Sequence, residues 1–163
     1  PPGSGHGLTA EHREDGMRIT EVTENKRRHM DLLLLADEQE DMVERYLDRG
    51  TMYLLEDRGA RAVCVVTDEG DGVLEIKNLA VAPDSQRRGY GGQLVRFVRE
   101  RYAGVYRMLQ VGTGESPLTV PFYERCGFRR SHVVKDFFIR HYDHPIYEAG
   151  RLLTDMVYFR MEL

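Results

Sequence analysis

Residues 84 to 94 read DSQRRGYGGQL, which places Gly89, Gly91 and Gly92 beside Arg87 and Arg88. Glycine weakens helices and strands alike, so its concentration at one junction calls for a use. The junction lies between an apolar run of strand character and one of helical character. A helix starting there presents unpaired N–H groups and about half a positive elementary charge, a combination that suits an anion. Bare glycine backbone lets a bulky phosphate come close, and the two arginines can add charge-assisted hydrogen bonds. The chemistry implied is pyrophosphate binding. Neither of two familiar phosphate loops fits. A P-loop requires G-x-x-x-x-G-K followed by Ser or Thr, and no such lysine is present. A dinucleotide fold requires G-x-G-x-x-G after its first strand, whereas Q-R-R-G-Y-G stands in mid-chain after several strands.

A second concentration of chemistry is DFFIRHYDHPIYEAG, residues 136–150. It sets Phe137, Phe138, Tyr142 and Tyr147 among the acids Asp136, Asp143 and Glu148. Acids near an aromatic wall suit a cationic amine. The same stretch could equally pack a dimer interface. His141 and His144 flank Asp143, but no further ligands stand at metal spacing, so they read as loop histidines and no metal is expected. The two cysteines form no close-spaced pair. Cys64 sits in the apolar run RAVCVV and reads as a buried thiol, which fits a reduced cytoplasmic protein. Cys126 lacks an evident base to make it a nucleophile.

These residues need a scaffold, and 163 residues suffice for one domain with a sizeable core. Composition is that of a soluble globular protein, 41% hydrophobic and 31% charged. The longest apolar run, LLLLA at 32–36, is too short to cross a bilayer. A net charge of -4 argues against nucleic acid as a partner. Residues 1–16 lack the apolar core of a signal peptide and read as a disordered or non-native tail, with the folded domain expected over 17–163.

MRITEVT (17–23) alternates as a strand, and residues 26–49 carry helical spacing broken near Asp37, with Gly50 as a stop. TMYLLED (51–57) and ARAVCVVTD (60–68) flank Arg58-Gly59 as a hairpin. VLEIKNLAVA (73–82) is a further strand ended by Pro83. Leu94, Phe97, Val98 and Tyr102 mark one face of the helix that follows the glycines. YRMLQV (106–111) reads as a strand, GTGES as a turn, residues 116–127 as a helix interrupted by Pro121, and 128–134 and 155–163 as strands. The order β-αα-βββ-α-β-α-β-β is that of an α/β (α+β) chain with a mixed sheet.

Within this frame the motif resembles the signature of the GNAT superfamily of acyl-CoA-dependent N-acetyltransferases, Q/R-x-x-G-x-G/A after a strand ending in an apolar-x-Val pattern. Here NLAVAPDSQRRGYGGQL puts Gln86, Gly89 and Gly91 at the signature positions. PFYERCGF, about thirty residues downstream, resembles the family's F-Y-x-x-x-G-F helix end. The resemblance covers about residues 17 to 163. It implies a mostly antiparallel central sheet flanked by helices, splayed between the strands at 73–82 and 106–111 to form a cofactor slot.

The resemblance further implies acetyl-CoA as co-substrate. Backbone of Leu79, Ala80 and Val81 would bind its pantetheine arm. Amides of Arg87, Arg88, Gly89, Tyr90, Gly91 and Gly92 would hold its pyrophosphate. An amine of a small molecule or peptide would attack the thioester directly. Glu75 is the candidate base: it shares one strand face with Lys77 and Leu79 by alternation, and apolar packing could raise its pKa. Glu115 and an acid of the aromatic loop are its rivals. A backbone N–H near Ala80 or Val81 would stabilise the oxyanion. Tyr123 matches the tyrosine that protonates the departing thiolate. Bland readings stand beside these: Glu75 as a solvated strand residue, Tyr123 as a core aromatic, both arginines as merely exposed. Ser116 replaces the asparagine with which many relatives touch the cofactor. A homodimer is compatible, and a catalytically weak acyl-CoA sensor is the alternative function.

Overall fold

The computed structural model describes residues 11–14 and 16–163 of the chain. Among the described residues, ten strands and five α-helices follow one another as β1 (Glu11–Glu14), β2 (Met17–Val22), α1 (Met30–Ala36), α2 (Glu40–Leu47), β3 (Thr51–Glu56), β4 (Ala60–Asp68), β5 (Val73–Val81), α3 (Tyr90–Tyr102), β6 (Met108–Gly114), α4 (Val120–Arg125), β7 (Arg129–Val134), α5 (Phe137–His141), β8 (Tyr147–Glu148), β9 (Arg151–Leu152) and β10 (Met156–Glu162). Eight of the strands form one sheet in the order β1-β2-β3-β4-β5-β6-β10-β7, and β8 and β9 form a small hairpin. Every neighbouring pair in the large sheet is antiparallel except β5 and β6, which run parallel because α3 carries the chain across between them. β1 lies within the segment read from sequence as a tail, and residues 1–10 and 15 are outside the described ones.

Two apolar layers cover the sheet. On one face, Leu94 and Val98 of α3 and Phe128 after α4 pack on Ile76, Val111 and Phe159. On the other, Leu33 of α1 and Val43 and Leu47 of α2 pack on Met52, Val63 and Val65. Full burial of such side chains is worth roughly 1.5–3 kcal/mol each. No helix among the described residues is long and apolar enough to cross a membrane. Burial pushes the Cys64 thiol up to about 12, as expected of an inert core thiol.

Gly50 ends the α2 turn as its position in sequence indicated, donating its N–H to the Tyr46 carbonyl at 2.9 Å. A Cβ there would sit 2.7 Å from Val65 Cγ1 and 2.8 Å from the Tyr46 carbonyl oxygen. Backbone cannot give way as a side chain can. Gly50→Ala is therefore expected to destabilise the fold by about 1–3 kcal/mol, seen as a lower urea midpoint at unchanged slope.

Three sequence expectations shift. The strand expected at 106–111 runs over Met108–Gly114, so GTG is strand and not turn. Its glycines answer a close approach: a Cβ on Gly112 would meet Met156 Sδ at 2.8 Å, and one on Gly114 would meet Leu153 Cδ1 at 2.7 Å. The helix expected over 116–127 narrows to α4, with Pro121 in its first turn, where a missing N–H breaks no hydrogen bond. Residues 135–154, whose sequence carries no regular period, hold α5 and the β8–β9 hairpin.

Candidate active site

Strands β5 and β6 pair only from Val73↔Met108 to Ile76↔Val111. Beyond that point β5 stays with β4 as far as Val81↔Ala62, and β6 stays with β10 as far as Gly114↔Met156. The sheet therefore splits, leaving the inner edges of Lys77–Val81 and Gly112–Gly114 without a ladder partner across the gap. A cleft of about 930 Å³ opens there. Buried backbone groups must find partners, so an extended ligand carrying amides fits this edge as an added strand would.

A β-bulge in β5 marks the split. Asn78 faces Val65 and Ile76 faces Val66, so Lys77 is an extra residue without an opposite number. One extra residue inverts the alternation of everything beyond it. Glu75 and Leu79 consequently lie on opposite faces, which corrects the expectation that alternation places Glu75, Lys77 and Leu79 together. Leu79 and Val81 pack with the α3 face, while Asn78 reaches α1 and α2. Glu75 is 4% exposed and does not line the cleft. Its Oε1 accepts from Gln110 Nε2, and its Oε2 is ion-paired to Lys77, which itself reaches the cleft. Gln110 is held in turn by Arg160 Nε at 2.9 Å. Glu75 is thus neutralised in place, as a structural carboxylate would be.

The glycine motif behaves as an open helix start. After a 3₁₀ turn at Pro83–Ser85, Arg87 and Gly89 take positive φ of 64° and 83°. Gly89 is the N-cap of α3, with no side-chain cap and no acid in the first turn. The first intrahelical bond there runs from Gln93 to Gly89, so the preceding amides of Tyr90, Gly91 and Gly92 stay unclaimed by the helix. Gly91 allows α3 to approach α4, since a Cβ would lie 3.2 Å from Phe122 Cζ. Around a Cβ on Gly92 there is no atom within 4 Å. Leu79, Ala80, Val81, Gln86, Arg87, Gly89, Tyr90, Gly91 and Gly92 all line the cleft. Gln86 Nε2 also approaches the Val81 carbonyl, at 3.4 Å.

Three predicted site residues have other tasks. The buried ring of Tyr90 directs its hydroxyl to Asp57 Oδ2 at 2.7 Å and ties the helix start to the β3–β4 turn. Arg88 lines a separate hollow of about 450 Å³ with Arg58 and Arg61. Ser116 is 3% exposed and outside the cleft: its Oγ accepts from the Leu118 N–H at 3.1 Å and its carbonyl accepts from Val120 at 3.0 Å. A serine hydroxyl is too short to cap the helix approach and reach a ligand as well.

Tyr123 lines the cleft from α4, edge-on to Phe122 and Phe128 at centroid distances of 5.1 and 5.7 Å. Its hydroxyl has no hydrogen-bond partner among the described residues, and burial holds the phenol well above its usual pKa, with the nearby Glu148 charge adding to the effect. Cys126 also lines the cleft, but burial raises its thiol pKa and disfavours the thiolate. Glu115 is paired to Arg130 at the surface. Glu148 of β8 lines the cleft and leaves Oε2 buried without a hydrogen-bond donor. Asp37, read in sequence only as a helix break, lines it too. It caps α1 in extended conformation, accepts from Tyr142 Oη at 2.6 Å and Tyr46 Oη at 3.2 Å, and has its pKa raised by burial. Nothing in its local sequence marked it, because both tyrosines come from other elements. Among the described residues no group of three metal-ligating side chains converges.

Comparison with known proteins agrees with this geometry. The family model for the acetyltransferase (GNAT) domain matches residues 48–130. An uncharacterized N-acetyltransferase of Bacillus subtilis (strain 168), YvbK, is 38% identical over 136 residues, spanning 82% of this chain and 88% of its own. A GNAT family acetyltransferase from Elizabethkingia anophelis, solved with acetyl-CoA bound, superposes with a TM-score of 0.86 at 35% identity, covering 92% of this chain and all (100%) of that one. A Bacillus subtilis acetyltransferase solved in complex with CoA gives 0.83 at 36% identity, over 90% of this chain and 99% of that one. With a sheet split at a bulge, a glycine-opened helix start on one side of the gap and relatives matched along nearly their whole length, the chain belongs to the GNAT family of acetyltransferases.

Proposed function

We propose that this acetyltransferase moves the acetyl group of acetyl-CoA to a primary amine of a small molecule or peptide by direct attack. The observation that carries this reading is the split between β5 and β6, which ends at the free first turn of α3. Acetyl-CoA supplies the acetyl group as a thioester. Backbone of Leu79, Ala80 and Val81 on the side facing the gap binds the amide-bearing arm, and the amides from Arg87 to Gly92 bind the pyrophosphate, with Arg87 beside them. Open space at Gly92 fits that placement.

Glu148 takes the base role in place of the ion-paired Glu75: it accepts a proton from the incoming ammonium so that the neutral amine can attack, and the second N–H proton leaves to solvent once the C–N bond has formed. The N–H of Ala80 or Val81 donates to the carbonyl oxygen as it gains charge. Tyr123 gives its proton to sulfur as the C–S bond breaks, and regains one from solvent. The raised thiol pKa of Cys126 supports direct transfer over an acetyl-cysteine.

Calorimetry with acetyl-CoA and thiol release over a panel of amines test the reading together. Tight binding with amine-dependent thiol release is expected. Binding with no amine-dependent release would leave an acyl-CoA sensor instead. Because burial keeps the Tyr123 phenol protonated above its usual range near 10, loss of the acid should produce no falling limb of kcat below about pH 10. Tyr123→Phe should lower kcat by roughly 10²-fold or more with little change in acetyl-CoA affinity.

A further inference from the structure

Asp37 is a half-buried carboxylate facing the cleft, yet none of the described residues forms an ion pair with it. Two tyrosine hydroxyls donate to it and the charge of Arg45 acts on it from beyond ion-pair distance, but neither is a contacting counter-ion. A carboxylate withdrawn from water without a counter-ion is unfavourable until a cation joins it.

Beside it, Asn78 is 2% exposed and lines the same cleft. Its Nδ2 donates to the Leu33 carbonyl at 2.9 Å and to Tyr46 Oη at 3.0 Å. The Leu33 carbonyl can only accept, so the amide cannot be turned over, and Oδ1 is left buried without a donor. One tyrosine hydroxyl, that of Tyr46, bridges Asn78 and Asp37. Tyr142 stacks on Phe138 at 5.6 Å and 23°, and both line the cleft. A carboxylate and an unmatched amide oxygen beside aromatic rings ask for N–H donors on a cation. Of the cationic side chains in the cleft, Lys77 is neutralised by Glu75 and Glu69, while Arg87 and Arg125 belong to the α3 and α4 side.

Resting on the acetyltransferase reading above, we propose that the acceptor is an amine carrying a second cationic group. Glu148 meets the reacting nitrogen, and Asp37 with Asn78 Oδ1 binds the distal ammonium. The two acids come from separate elements, β8 and the α1–α2 junction, so one substrate nitrogen need not serve both.

The test compares 1,5-diaminopentane, 1-aminopentane and 5-aminopentanoate at saturating acetyl-CoA, read by thiol release. The diamine should exceed the monoamine in kcat/KM by roughly tenfold or more, chiefly through KM, because a charge-assisted contact is added, and the aminopentanoate should be poorest. Asp37→Asn should pull the diamine-to-monoamine ratio toward one, again through KM. N,N,N′,N′-tetramethyl-1,5-diaminopentane, whose tertiary ammonium groups keep an N–H and cannot form a stable amide, should inhibit the wild-type protein competitively against the diamine, a readout that needs no variant to fold. Equal turnover of monoamine and diamine by the wild-type protein, or an unchanged ratio in a folded Asp37→Asn protein, would overturn the second-cation assignment while leaving acetyl transfer intact. Acetyl-CoA binding with no amine acetylated at all would overturn the acetyltransferase reading itself.

Discussion

Glu148→Gln is expected to lower kcat by roughly 10²- to 10⁴-fold while acetyl-CoA affinity stays within a few-fold. The substitution keeps the size and planar shape of the side chain and removes only its capacity to take a proton. Glu148 is the carboxylate whose Oε2 is buried against the cleft with no donor, and its charge is felt at the Tyr123 hydroxyl. Both residues line the same cleft, as a base and an acid serving one reaction would. An alkylammonium is protonated at neutral pH and cannot attack until its proton has somewhere to go. In the Gln variant that proton must pass to solvent, so the residual rate should climb as pH approaches the amine's own pKa. Glu75→Gln provides the contrast. Its loss leaves Lys77 paired to Glu69 alone, and it should act on stability more than on kcat. Stopped-flow thiol release with both variants separates the two acids. A Glu148→Gln protein with near-normal kcat would eliminate Glu148 as the base.

The second large effect has two signs in one variant. Gly92→Glu should raise the melting temperature by a few degrees and weaken acetyl-CoA binding on the order of 10²-fold. Gly92 is the third residue of α3, whose first turn carries no acid, and nothing lies within 4 Å of a Cβ placed there. Replacing a helical glycine by a good helix former is worth roughly 0.5–1 kcal/mol, and an acid in the first turn adds about 0.3–1 kcal/mol. For a chain of this size each kcal/mol shifts the midpoint by about 2–4 °C. The same carboxylate would occupy the seat proposed for the pyrophosphate. Like charges brought together cost several kcal/mol, and each 1.4 kcal/mol is about tenfold in affinity. A melt and a calorimetric titration on one preparation suffice. A variant that binds acetyl-CoA as tightly as wild type would place the pyrophosphate elsewhere.

How far each residue could be read in advance follows from the range of the forces that place it. The open helix start was legible because it is local. Gly89 adopts φ of 83° within the loop it belongs to, and the amides it frees are those of the next three residues. Tyr123 stood out through the local F-Y-x-x-x-G-F resemblance, and α4 turns its ring inward toward Phe128. Gly112 and Gly114 were misread as a turn because glycine alone does not distinguish a bend from a close approach. Only the side chains of Met156 and Leu153, forty residues on, make the difference.

What the sequence by itself determined is the order of elements, the two-sided apolar pattern that stacks helices on a sheet, and the glycine-opened helix start. All of these depend on residues within a few positions of one another. What only the tertiary structure decided is which acids face the cleft. At Lys77 the register of β5 against β4 shifts by one residue, which puts Glu75 and Leu79 on opposite faces and leaves Glu75 held by Lys77 and Gln110. Asp37 and Glu148 reach the cleft instead because α1, α2, α5 and the β8–β9 hairpin fold over it, bringing together side chains more than a hundred residues apart, as the Tyr142–Asp37 bond shows. Such contacts leave no period or motif in the chain, since their geometry is set by packing between elements and not within any one of them.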